Sequence, residues 1–504
     1  MQPDFIVVGA GTAGCVLSQR LSERGNRVML LEAGGSHRHM NVRIPAAFSK
    51  LFKTARDWAY ETTEQPTLNG RRVFWPRGKM LGGSSSMNAQ IHQWCSSRDF
   101  ERWTQLGAAG WGWDVMASAL KQIDPELNGG QLREPNPLTE AFLRAAEAEG
   151  LSSGGSYNGG ELTAGAWISQ VTHRNGARWS AADAFLSKAK RVHVLTDATV
   201  QRVLFEGKRA TGVEFRQGGK IKRAVAGRGV VLCGGAVNSP QMLMLSGIGP
   251  TSSLRAVGID VLADAPNVGE NLQDHLMLVM HFRAKRPISL RAAESPANLW
   301  RYLTARRGML ASNVAEAIAF LPSRPGGAVD VEIVFAPVLF ENEGLSPPSA
   351  HGFSLAPVLL SPKSRGRVSL TAKTADAHPL IDPAYLSDPG GEDLARLVAA
   401  ARAAHRIASQ LPLAEETDGM ILPRDAEERT IVEAIRATAH TIYHPVGTCR
   451  MGSDPGSVVD CDLMVRHVER LWVADASVMP TVPSGHPNAV VAAIAHHAAE
   501  LIAR

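Results

Sequence analysis

Two histidines raise a question of chemistry before anything else in the chain. His444 stands in TIYHPVGTCRMG and His486 in PSGHPNAV, each followed directly by proline in loop-like sequence. An imidazole titrates near neutrality, so either ring is a candidate proton acceptor. The chain holds 16 histidines, and most histidines are solvated or quietly hydrogen-bonded. His496 and His497, in the apolar C-terminal stretch, read as packing or surface residues of that kind. Whether His444 and His486 are two surface residues or two halves of one site depends on the elements that place them.

The first such element is FIVVGAGTAGCVLSQRLSERGNRVMLLEAG. An apolar run from Phe5 to Val8 has strand length, Gly9, Gly11 and Gly14 follow in G-x-G-x-x-G spacing, and a helical pattern carries Val16, Leu17 and Leu21. A second apolar run, Val28 to Leu31, ends in Glu32. Gly9 permits a tight turn, Gly11 lets backbone approach a pyrophosphate, and Gly14 lets helix and strand pack closely. Aligned N–H groups at the helix start would meet the phosphates, and Glu32 stands where an acid meets ribose hydroxyls. The acid favours a dinucleotide without a 2′-phosphate; NAD and FAD are not separated by this motif.

Similar grammar recurs downstream. GVVLCGGAVNSPQMLMLSGIG reads as a buried strand, a glycine turn and a helix capped by Ser239 with Pro240 at its first position. RLWVADASVMP holds a strand, Leu471 to Val473, ending in Asp475, and a last helix spans 488–502. The Gly- and Ser-rich RGKMLGGSSSMN suits a loop lying against a flat or anionic ligand. VDVEIVFAPVLF and GRVSLTA suit an antiparallel sheet open to a ligand on one face, beside a helix over 392–410. These elements predict an α/β fold, α+β overall. A discontinuous Rossmann-like cofactor domain (1–150, 190–275 and 436–504) carries a substrate domain (151–189 and 276–435) built on an antiparallel sheet with helices.

Bulk properties set outer limits. At 504 residues and 54.0 kDa the chain suits two domains. The net charge of +5 comes from scattered Lys and Arg, so no nucleic-acid partner is expected. Cys15, Cys95, Cys233, Cys449 and Cys461 are odd in number and lack a CxxC, which argues for reduced thiols, no metal site and a cytoplasmic setting. No signal peptide pattern and no apolar run of the ~18 residues that span a bilayer is found, so a soluble protein is expected.

Taken in order, the motifs resemble the glucose–methanol–choline (GMC) oxidoreductases, FAD-dependent alcohol oxidases and dehydrogenases. The match includes VVGAGTAGCVLSQRLSE with LLEAG, DWAYETTEQP, RGKMLGGSSSMN, GGAVNSPQMLMLSGIG, NVGENLQDH, HPVGTCRMG and VADASVMPTVPSGHPN. The resemblance implies FAD between the two domains, with His444 and His486 meeting at the flavin's reactive edge as a catalytic pair. His444 is then expected to take the hydroxyl proton while a hydride passes to the flavin, and His486 to hold the substrate oxygen, with sharing or exchange of the two roles as the alternative. Pro445 and Pro487 would stiffen the backbone behind each ring. Gly9, Gly11, Thr12, Ala13, Gly14, Glu32, Ala33, Trp58, Met80, Gly83, Ser84, Asn88, Val200, Asp475, Ala476, His486 and Asn488 become expected FAD contacts.

Two departures from the family pattern stand out. Many relatives carry Asn where this chain has His486, and the segment at 127–137 is short. Some relatives bind FAD covalently through a histidine in the GGSSSMN loop; Met87 stands there, and His92 lies too late in the sequence, so a non-covalent flavin is expected. The implied substrate is a small primary alcohol. A Tyr-poor substrate region weighs against choline, and the length weighs against a sugar, leaving flat alcohols such as hydroxymethyl-furans, benzyl alcohols or pyridoxine. Oxygen or another acceptor would take the electrons, from a monomer or small homo-oligomer. The rival readings are a choline-type dehydrogenase, a hydroxynitrile lyase that binds FAD without redox turnover, and a flavin-binding structural protein.

Overall fold

Phe5 to Val8 and Gly229 to Leu232 are buried on both faces, with no alternation of apolar and polar residues. Strands of that texture belong in the middle of a parallel sheet with helices on either side. The computed structural model describes residues 2–152 and 154–504. Along the chain, β1 (Phe5–Val8) runs through α1 (Thr12–Glu23) to β2 (Val28–Leu31). After α2 (Trp113–Leu127) come β3 (Gly165–Ile168), β4 (Val192–Leu195), and β5 (Gly229–Leu232) with α3 (Gly235–Leu245). Next are β6 (Met280–Ala284), α4 (Pro296–Ala305), β7 (Ala317–Leu321), β8 (Val331–Ala336) and β9 (Gly352–Leu359). The chain ends through α5 (Glu392–Ser409), β10 (Thr417–Leu422), β11 (Leu471–Val473) and α6 (Asn488–Ala503).

The first sheet is wholly parallel, in the order β11-β5-β1-β2-β4. It gathers strands from the beginning, middle and end of the chain, in the Rossmann manner. Gly14 lets α1 approach β1: a Cβ there would stand 1.9 Å from the Gly9 carbonyl oxygen. α6 packs on α1, tied by Thr12 Oγ1 donating to Asn488 Oδ1 at 2.7 Å and Arg20 Nε donating to His496 Nδ1 at 3.0 Å. His497 lies edge-on to the Trp111 ring. Both histidines thus serve packing.

The second sheet has eight strands, with the path β10-β6-β9-β8-β7-β3 and two short additions, Leu276–Met277 and His440–Thr441. All its pairings are antiparallel. The pleat sends alternate residues to opposite faces. On β8, Val331, Ile333 and Phe335 join the core that includes Leu397, Ala400 and Ala404 of α5, while Val334 and Ala336 face a cavity. β9 does the same, with Phe353 and Leu355 in that core and Ser354 and Ala356 at the cavity. The fold is a mixed α/β architecture: a parallel nucleotide-type sheet joined to an antiparallel one.

Two local expectations need correction. The helix after β5 does not begin at Ser239. It starts at Gly235 and carries Pro240 in its interior. Proline cannot bond the carbonyl four residues back; here Ala236 O is met by the Thr448 hydroxyl at 2.7 Å. Ser239 is spent elsewhere, donating to Asp475 Oδ2 at 2.6 Å. Secondly, GRVSLTA does not join the large sheet. Arg367–Ser369 forms a two-stranded ribbon with Leu380–Asp382.

All five cysteines are free thiols. Among the described residues no helix is long and apolar enough to cross a membrane, and no cluster of His, Cys, Asp or Glu could hold a metal ion.

Candidate active site

His444 is placed by a short ladder. Leu276 pairs with Thr441 and Met277 with His440, which sets the residue before one strand beside the residues after the other. Asp274 Oδ1 accepts the His444 backbone N–H at 2.8 Å, and Tyr385 Oη donates to the other oxygen of Asp274. Trp75 Nε1 donates in turn to Tyr385 Oη at 3.1 Å. Burial raises the Asp274 carboxyl to about 6. The loop that carries the ring is therefore held by a buried polar chain.

The ring itself meets a third histidine. His275 Nδ1 and His444 Nδ1 lie 3.0 Å apart, and His275 Nε2 lies 3.0 Å from the Leu360 carbonyl just past β9. A carbonyl only accepts, so His275 Nε2 carries a proton. Burial depresses the His275 pKa to about 3, so the ring is neutral and its Nδ1 is an acceptor. His444 Nδ1 must then donate, which leaves the lone pair of His444 on Nε2. Among the described residues Nε2 has no hydrogen-bond partner, and His444 lines the cavity. Burial first, then the nearby His486, His275 and half-buried Arg77, hold the His444 pKa well below the ordinary imidazole value. The ring is a neutral base facing open space.

His486 comes from the loop before α6. Its backbone N–H donates to Gln93 Oε1 at 3.0 Å, and Gln93 Nε2 donates to Ser484 O at 3.3 Å. Gly485 is required between them: its φ is +141°, and a Cβ there would stand 2.0 Å from Gln93 Oε1. His486 Nε2 lies 3.0 Å from Glu332 Oε1, on the cavity side of β8. Glu332 is fully buried, and its Oε2 has no partner among the described residues. With Nε2 committed to a carboxylate, Nδ1 is the ring nitrogen of His486 left to meet a ligand. The His444 and His486 rings stand edge to face, centroids 4.8 Å apart.

A cavity of about 340 Å³ joins this pair to the parallel sheet. It is lined at the sheet end by Gly9, Gly11, Thr12, Ala13, Glu32 and Ala33, and further along by Trp58, Gly83, Ser84, Asn88 and Val200. Asp475, Ala476, His486 and Asn488 also face it. Two of the expected cofactor residues do not. Gly14 is spent on helix packing, and Met80 is fully buried in an apolar cluster with Phe48, Phe52 and Phe74. Met87 lines the cavity, whereas His92 is turned away from it onto Asp124.

The residues present fit a dinucleotide. Nothing lies within 4 Å of the place a Cβ would take on Gly11, so open space abuts bare backbone there. α1 has no side-chain cap, which leaves its first N–H groups free for an anion. Glu32 accepts from Ala10 N at 2.9 Å and Gly34 N at 2.8 Å, and burial raises its pKa to about 7. That fixes a carboxyl group at the end of β2, toward the cavity, as a ribose diol requires.

Residue spacing missed four members of this site: His275, Asp274, Glu332 and Gln93. His275 and Asp274 end the motif NVGENLQDH, and Gln93 follows the glycine-rich loop. The signal available for Glu332 was an acid inside an otherwise apolar run, VDVEIVFA.

Comparison with known proteins gives the family. The family model described as GMC oxidoreductase matches residues 3–277, and its C-terminal counterpart matches residues 362–495. A GMC-type oxidoreductase of Mycobacterium bovis is 43% identical, covering 99% of each chain. An alcohol dehydrogenase [acceptor] of Pseudomonas putida is 39% identical over 99% of this chain and 96% of its own. The crystal structure of a pyridoxine 4-oxidase from Mesorbium loti superposes with a TM-score of 0.89 at 31% identity, covering 99% of both chains. The chain is a member of the GMC oxidoreductase family, an FAD-dependent enzyme that acts on alcohols.

Proposed function

We propose that this enzyme oxidises a small, flat primary alcohol, aromatic or heteroaromatic, to its aldehyde. His444 Nε2 takes the hydroxyl proton, and His486, donating through Nε2 to Glu332 and through Nδ1 to the substrate oxygen, holds that oxygen in line. The observation that carries this reading is the free lone pair of His444, aimed by His275 into the cavity. FAD, held non-covalently by the residues at the sheet end, supplies the hydride acceptor; oxygen or another acceptor then takes the electrons. The neutral state of His444 matters because only an unprotonated ring can accept. The stacked constraints on both loops hold the two nitrogens in fixed positions, which is what a near-attack geometry needs.

The wall near the histidines supports a flat apolar substrate. Met277, Val279, Val334, Ala336, Phe340, Ala356 and Ile442 line that part of the cavity. The carboxylic acids of the lining are Glu32 and Asp475, at the ends of β2 and β11, and Asp475 is already committed to Gly235 N, Ser239 and Ser477 N. Glu332 stands beside His486 but is fully buried and paired with that ring, and it is absent from the lining, so a quaternary ammonium would meet no cavity-lining carboxylate near the histidines. Likeness to the pyridoxine 4-oxidase supports a heteroaromatic alcohol. We also infer that residues 1–150, 190–275 and 436–504 act as the FAD-binding unit and the remainder as the substrate unit, in a cytoplasmic protein.

The test is anaerobic reduction of the flavin in purified holoenzyme by pyridoxine, hydroxymethylfurfural, benzyl alcohol and choline in turn. Bleaching by one of the flat alcohols supports the reading. Bleaching by choline alone, or by none, overturns it. His444→Ala should slow reduction by about 10²–10⁴-fold with FAD still bound, and a near-normal rate would remove His444 from the role of base.

A further inference from the structure

α4 buries one side and leaves another with nothing over it. Tyr302 is buried, its hydroxyl donating to the Arg43 carbonyl at 3.2 Å, while Leu299, Trp300 and Leu303 are 40%, 69% and 54% exposed. Spacing of one and four residues puts these three on one helical face. The chain has ten tryptophans, and Trp300 is the exposed one among them. The neighbouring turn, Met40–Arg43, which supplies the carbonyl to Tyr302, adds Met40 at 60% exposure. Around this patch stand Arg291, Arg301, Arg306, Arg307 and Lys50; Arg301 and Arg307 share the Glu134 carboxylate and Lys50 pairs with Glu294, which leaves the rim with an excess of positive charge.

We propose that this face of α4 docks on the surface of an anionic phospholipid bilayer. An exposed apolar face costs free energy in water, and an indole flanked by leucines and arginines matches the boundary of acyl chains and headgroups. The rings and aliphatic chains enter the boundary, and the guanidinium groups meet lipid phosphates. A second copy of the chain fits less well. A twofold contact would bring the same arginine rim against itself, with like charges opposed. The docked face also adjoins the substrate side of the cavity. Met309, just past α4, and Val314 pack on one small cluster with Ala336, and both Val314 and Ala336 line the cavity. The proposal is independent of which alcohol is the substrate.

Flotation of the full-length holoenzyme with vesicles tests it, using phosphatidylcholine alone and phosphatidylcholine with phosphatidylglycerol. The protein should float with the anionic vesicles at least tenfold more than with neutral ones, and added salt should release it. Leu299→Glu with Trp300→Glu and Leu303→Glu should lose at least tenfold in binding while oxidising a dissolved alcohol at the normal rate. Arg291→Glu with Arg307→Glu leaves the apolar face intact and should also lose binding, which guards against a folding defect in the triple variant. Absence of flotation, equal flotation on both lipids, or undiminished binding by either variant overturns the proposal. So does a concentration-dependent dimer, seen by light scattering, that the triple variant abolishes without any vesicle binding.

Discussion

Replacing His275 should slow catalysis without touching the cavity, because His275 acts only through His444. Its Nδ1 accepts the His444 Nδ1 proton at 3.0 Å and so keeps the His444 lone pair on Nε2. In His275→Leu that proton faces an apolar side chain. Leaving a buried donor unpaired costs about 1–3 kcal/mol, so the productive tautomer loses its advantage by about that amount. At 1.36 kcal/mol per decade this corresponds to roughly a 5- to 150-fold slower flavin reduction. The effect should fall short of His444→Ala, since the base is still present. His275→Gln restores an acceptor oxygen and should recover most of the rate, a contrast that loss of packing alone would not produce. Stopped-flow reduction under anaerobic conditions, with FAD content measured alongside, is the assay. A His275→Leu rate within twofold of the parent, or a Gln variant as slow as Leu, would refute the reasoning.

The pH dependence follows from the depressed pKa of His444. A base works when unprotonated, and a value below the ordinary 6.5 keeps it so as pH falls through neutrality. The acid limb of kcat/KM should therefore lie below pH 6.5, with a plateau above; a limb at or above 6.5 counts against the assignment. Gly485→Ala drives a Cβ to within 2.0 Å of Gln93 Oε1 at a φ of +141°. Strain there should cost about 1–3 kcal/mol in urea unfolding and slow flavin reduction by displacing His486, whereas an unchanged rate and midpoint would show that the loop adapts freely. With Met87 at the loop and His92 bound to Asp124, acid precipitation should release all the yellow colour into the supernatant. A yellow pellet would mean a covalent bond.

The nucleotide end was legible because its signals are local. A strand, three spaced glycines, a helix and Glu32 all lie within one short segment, and each has a reason in backbone geometry. His444 and His486 were recognisable through the motifs around them. Their partners were not, because partnership depends on register between distant strands. His275 meets His444 across 169 residues, and Glu332 meets His486 across 154. Periodicity shows that Glu332 points to the same side as Val334, but which loop crosses that side is a property of the whole sheet. Pro240 misled for a related reason. It normally marks a helix start, and the hydroxyl that makes it tolerable inside one comes from Thr448, 212 residues beyond the Ala236 carbonyl that it meets.

The parallel sheet has a consequence for how the molecule comes into being. β1 is flanked by β5 and β2, β5 is completed by β11, and α1 is covered by α6. α1 thus waits for α6 before its apolar side is closed. At about 5–20 residues per second, roughly 25–100 s pass between the emergence of the two. Contacts of such long sequence separation also fold slowly once both partners exist. During that interval Val16, Leu17 and Leu21 must be shielded by something else, so a nascent chain halted before residue 488 is the natural client of a chaperone, and premature stops near the C-terminus should deplete the protein from the cell before they affect its chemistry.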